Sequence, residues 1–157
     1  MKQLSFIILV LLVFNSCKDK DIIVPNEYLV FGHFYGFCAG EECIELFKVD
    51  NERVYEDALD QYPSRTTFYE GDFRDIGKDY WKEAETLYSI LPDSLRAAES
   101  GTVYGCPDCA DGGGFYIEYK NSKERKFWVI DKVKSQVPTF LHHFMDQCDS
   151  AITLINN

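Results

Sequence analysis

Four cysteines carry the chemistry most easily read in this chain of 157 residues: Cys38, Cys43, Cys106 and Cys109. They form two close pairs, Cys38-x4-Cys43 and Cys106-x2-Cys109, each in a loop between strand-like stretches. Two such pairs can close as disulfides, surround a tetrahedral metal ion as thiolates, or exchange electrons with other thiols. Cys148 stands apart on the apolar face of the last predicted helix and reads as a small buried hydrophobe. The remaining polar residues offer no comparable constellation. His142 and His143 are adjacent on a helix, so they point about 100° apart and cannot chelate together. His33 reads as a strand histidine packed among aromatics. Asp108, Asp111 and Glu118 lack the alternate spacing of a calcium loop. Gly112–Gly114 lacks the partner residues of a phosphate-binding loop and reads as a connector that needs positive backbone angles. Three scattered histidines supply no base and orienter for a Ser or Cys nucleophile.

The elements that must hold these residues follow from periodicity. Residues 27–37 are rich in Tyr, Phe and Val and predict a strand, weakened by Gly32 and Gly36. Residues 44–49 and 53–57 flank a turn-like Asp50-Asn51-Glu52 and predict a hairpin, with a further strand at 65–70. Tyr80, Trp81, Ala84, Leu87, Tyr88 and Leu91 recur at helical spacing and predict a helix over 77–91, with a short second turn through residue 99. Strands at 102–105, 115–120 and 126–131 follow. Pro138 then opens a last helix whose apolar face is Leu141, Phe144, Met145, Cys148, Ile152 and Ile155. Strands with segregated helices indicate an α+β fold: an antiparallel sheet of about six or seven strands with two main helices over one face. Both halves run cysteine loop, strand, polar turn, strand, helix. Duplication of a ββα unit is one reading, and chance similarity between two hairpins is the other.

Residues 1–16 join one early lysine to an unbroken apolar run, Phe6 to Phe14, about half the ~20 residues a spanning helix needs. With Ser16-Cys17 directly behind it, this segment resembles the leader and lipobox of bacterial lipoproteins; Phe14 departs from the usual Leu or Val. Lys18-Asp19-Lys20-Asp21 is similar to the charged surface-export signal of Bacteroidota lipoproteins. The resemblance implies cleavage before Cys17 and membrane lipid on that cysteine. Residues 17–26 would then be the lipidated cysteine and tether, and 27–157 a single α+β domain in the cell envelope, lipid-anchored to the outer membrane and facing the periplasm or the surface.

An oxidising envelope favours disulfides for the four loop thiols. Two hairpin loops with two thiols each also resemble a zinc-ribbon site, which would make zinc a cofactor. Cys106-Pro107-Asp108-Cys109 resembles the active-site tetrapeptide of thioredoxin-like oxidoreductases, but Asp111 and the glycines after it cannot start the helix that activates such a cysteine. Without Lys2 the mature chain carries 15 basic against 26 acidic side chains. That balance repels phosphate backbones and excludes nucleic acid as a partner. The expectation is a non-enzymatic binding or assembly module with no cofactor and an envelope protein as its partner. Its rivals are a thiol-dependent module, zinc-stabilised or redox, and a hydrolase whose site assembles only in three dimensions.

Overall fold

A computed structural model describes residues 27–38 and 41–157. Seven strands form one mixed, mostly antiparallel sheet: β1 (Tyr28–Phe34), β2 (Ile44–Val49), β3 (Val54–Asp57), β4 (Phe73–Gly77), β5 (Thr102–Tyr104), β6 (Gly114–Lys120) and β7 (Arg125–Asp131). Their order is β4-β3-β2-β1-β6-β7-β5, which puts β1 in the middle. Only β5 runs parallel to its neighbour, β7. The two main helices are α1 (Trp81–Ile90) and α3 (His142–Ile155), with the short α2 (Asp93–Ala97) between them in sequence. The α+β class and its mostly antiparallel sheet are as expected.

The helices share one face of the sheet. Leu29, Phe31, Phe47, Ile117, Trp128 and Ile130 turn towards Ala84, Leu87, Leu95, Leu141, Phe144 and Cys148 in one buried cluster. All six positions expected on the apolar face of α3 are buried, and Leu141 and Cys148 are fully so. The opposite face has its own core of Val30, Phe34, Leu46, Tyr116, Phe127 and Val129, joined by Tyr69 from the 58–72 loop.

One strand was misplaced. Residues 65–70 are not a strand; the strand is Phe73–Gly77. The backbone amides of Thr66 and Thr67 donate to the Ser64 hydroxyl, and that of Tyr69 donates to the Tyr116 hydroxyl. Side-chain acceptors thus replace ladder partners, a competition that alternation of apolar residues does not reveal. Three differences concern ends: β1 stops at Phe34, the helix expected from residue 77 starts at Trp81 because Gly77 closes β4, and Thr139–Leu141 is a 3₁₀ turn leading into α3. Two hairpins, β2–β3 and β6–β7, flank β1, each preceded by a cysteine loop. Ile44 and Gly114 both pair with Phe34, so Glu45 of one hairpin stands level with Phe115 of the other across β1.

Leu141→Asp would bury an unpaired carboxylate at a position with no exposure. Such a charge is strongly disfavoured, and soluble, folded protein should not be recovered. Phe144→Ala should fold, with urea unfolding showing a loss of about 3–5 kcal/mol. Native stability in either variant would place α3 differently on the sheet.

Candidate functional site

Both cysteine loops lie at the same end of the sheet. β1 delivers one loop directly after Phe34, and the other leads into Gly114, the residue that pairs with Phe34. The thiols close within each loop, Cys38 to Cys43 and Cys106 to Cys109. They do not converge as a four-thiolate centre. Among the described residues no group of three or more His, Cys, Asp and Glu side chains is placed to hold a metal. The disulfides point to an oxidising, extracellular or periplasmic location. Among the described residues no helix is long and apolar enough to cross a membrane. Cys17, the leader and the tether lie outside the described residues.

Asp108 stitches the loops together. Its carboxylate accepts the amide of Gly36 (2.9 Å), the amide of Gly113 (3.1 Å) and the hydroxyl of Tyr62 (3.0 Å). The Gly36 bond crosses to the first disulfide loop, and the Tyr62 bond reaches the 58–72 loop. Arg65 adds a bond from its guanidinium to the Pro107 carbonyl. Pro107 is buried, whereas Cys106 and Cys109 on either side are exposed. Asp131 fixes the entry to this loop by accepting the Cys106 amide at 2.9 Å. Gly113 has φ +72°, and a Cβ there would strike the Tyr35 ring, so the connector reading of the triple glycine holds at this position. Phe37, the residue just before the first disulfide ring, is 86% exposed.

A polar network missed at the sequence level lies on the helix-free face. Glu118, 1% exposed, accepts hydrogen bonds from Tyr28 Oη (2.7 Å), Tyr116 Oη (2.8 Å) and Arg125 Nε (2.8 Å). Burial, reinforced by this carboxylate, pushes the phenols of Tyr28 and Tyr116 well above their ordinary range. Both phenols therefore stay protonated and donate. Lys48 lies nearby among the rings of Tyr28, Tyr55 and Phe73, and burial lowers its pKa. The signal for Glu118 was present in its strand: Tyr116, Glu118 and Lys120 share one face, opposite Phe115, Ile117 and Tyr119. That both faces of β6 are covered was not visible.

On the helix side of the disulfide end, the His33 ring sits 5.2 Å from the Tyr35 ring, and its buried Nδ1 has no hydrogen-bond partner among the described residues. Burial holds this imidazole below its ordinary value, with the positive charge of Lys132 adding to the effect. The Cys148 thiol is pushed well up by burial, which suits an inert core position. Compared with known proteins, the chain matches no family model and no curated protein.

Two outcomes follow. Glu118→Ala removes the shared acceptor of two phenols and leaves Arg125 half-buried without its closest carboxylate; urea unfolding should show a loss of about 2–4 kcal/mol. His33 binds its proton less readily when folded than when unfolded. The unfolded chain thus takes up more protons as pH falls through about 6.5, and stability drops with falling pH there. Melting curves from pH 8 down to about pH 5.5 should show this slope, and His33→Phe should flatten it. An equal slope in the variant would assign it to other groups.

Proposed function

We propose that this chain is a lipid-anchored lipoprotein of the cell envelope, and that its folded part is a non-enzymatic binding or assembly module. The observation that carries this reading is the polarity of the sheet. Cys17 precedes Tyr28, at one end of β1, while both disulfides sit beyond Phe34, at the other. Seven extended residues put about 20 Å between those ends. A lipid on Cys17 would hold the Tyr28 end towards the membrane and display the disulfide end away from it. Several acyl chains make such attachment effectively permanent, since each buried methylene adds about 0.8 kcal/mol.

The displayed end suits a protein partner. Phe37 and Tyr62 are exposed there; Phe37 sits between the Gly36 amide held by Asp108 and the disulfide-bonded Cys38, and Tyr62 is held by Asp108, so little ordering would be needed on binding. The chain's net charge of −10 argues against an anionic partner. A thiol-dependent role has one observation of its own: Cys106 and Cys109 are both exposed.

The anchor is tested by mass spectrometry of the mature N-terminus, which should be an acylated Cys17; Cys17→Ser should abolish acylation. An unmodified N-terminus at another residue rejects the anchor. Presentation is tested by a photo-crosslinking residue placed in intact cells at position 37 or, at the membrane end, at position 122. A discrete envelope protein should be captured from 37 and not from 122. Equal capture from both, or from neither, rejects the disulfide end as the binding surface.

A further inference from the structure

The two disulfides differ in their surroundings. Cys43 is 6% exposed and sits against the sheet, where its carbonyl accepts the Tyr35 amide at 2.8 Å. Its partner Cys38 is exposed, whereas in the second pair both Cys106 and Cys109 are exposed, so the second disulfide has no buried member. The backbone differs as well. Within the second loop Asp108, Ala110 and Asp111 all have positive φ, at +59°, +54° and +58°. Among the described residues only one other non-glycine residue, Asp60, does so. Left-handed conformation is unfavourable for L-residues, and more so for Ala than for Asp, so opening the ring would let this loop relax.

The carboxylates of Asp108 and Asp131 are bonded into the same loop, and Asp111 is adjacent. The two sulfurs are bonded to each other in the structure, so the closed disulfide is the starting form. The reducing equivalents must then come from outside. Cys148 cannot provide them, because it is fully buried in the helix-side core.

We propose that Cys106–Cys109 is an exchangeable disulfide that accepts electrons from an external dithiol, and that its opening loosens the disulfide end through Asp108, while Cys38–Cys43 is structural. One thiolate of the dithiol bonds to one sulfur of the pair as the Cys106–Cys109 bond breaks. The departing sulfur leaves as a thiolate and takes up a proton. The second thiolate of the dithiol attacks the mixed disulfide, closing the donor's own disulfide and releasing the second cysteine, which is protonated in turn. Two electrons and two protons pass to the pair. Once the ring opens, Asp108 is no longer held in the left-handed conformation that aims its carboxylate at Gly36, Tyr62 and Gly113. The inference does not depend on lipid at Cys17.

The test uses the full chain carrying Cys17→Ser, titrated with dithiothreitol in the absence of denaturant. Samples are quenched with iodoacetamide and mapped by mass spectrometry, with far-UV circular dichroism confirming the fold. The peptide holding Cys106 and Cys109 should gain two carbamidomethyl groups at least about tenfold faster than the peptide holding Cys38 and Cys43, as expected when both cysteines are exposed and ring opening relaxes the left-handed backbone, against a pair with one buried cysteine. Hydrogen exchange at the Gly36 amide should accelerate in the opened protein. Equal rates at the two pairs, faster opening of Cys38–Cys43, or opening only on unfolding overturns the exchange. Selective opening with unchanged exchange at Gly36 overturns the coupling through Asp108.

Discussion

The central strand β1 is paired along both edges, with β2 on one side and β6 on the other, and packed on both faces. Such a strand has little room for adjustment. At Gly32 there is none, because a Cβ would collide with the Glu45 carbonyl of β2. The glycine that weakens the strand by propensity is what allows β2 to approach it. With Gly32 fixed, Phe34 must pair with Ile44 on one side and Gly114 on the other. Both cysteine loops are then forced to the same end, whatever their own sequences prefer.

What ties the loops to this frame is a set of carboxylates. Asp57, 4% exposed, accepts the Tyr69 hydroxyl and the amides of Asp60 and Asp72, closing the base of the 58–72 loop. Asp131 accepts the amides of Cys106 and Val133, and Asp108 joins three segments. Glu118 does the same for side chains on the helix-free face. A carboxylate has about four acceptor positions and can satisfy several donors at once, which suits loops whose amides have no ladder. Part of the acidic excess therefore belongs to the architecture, beyond any preference in partners.

Periodicity made the two large helices and most strands legible, because each buries one regular face. Leu141, Phe144, Cys148 and Ile152 recur at helical spacing in the sequence, and all four are buried in the helix-side core. The 65–70 segment failed because its apolar residues are buried by a loop held on side-chain acceptors. The importance of Asp108 was invisible for a related reason. Its partners are 72 and 46 residues away at Gly36 and Tyr62, and nothing local distinguishes it from an ordinary turn aspartate. The paired spacing of the cysteines was legible, but their pairing within loops was not, since spacing alone suits disulfides and zinc equally.

The size of the rings bears on what the disulfides are for. Their partners are separated by only five and three residues. In the chain-entropy account, loops so short restrict the unfolded state by about 2 kcal/mol each, near the low end of the usual range. Burying a single large core side chain contributes a comparable amount, about 1.5–3 kcal/mol. Trp128, Tyr116, Phe31, Phe34, Phe47, Phe115 and Phe144 are all fully buried. Stability of the sheet thus rests on its two cores, and neither disulfide is large enough to decide it. Their main physical effect is local. Each fixes the shape of a loop that has no long helix and few ladder bonds of its own, at the end of the sheet where β1 finishes at Phe34.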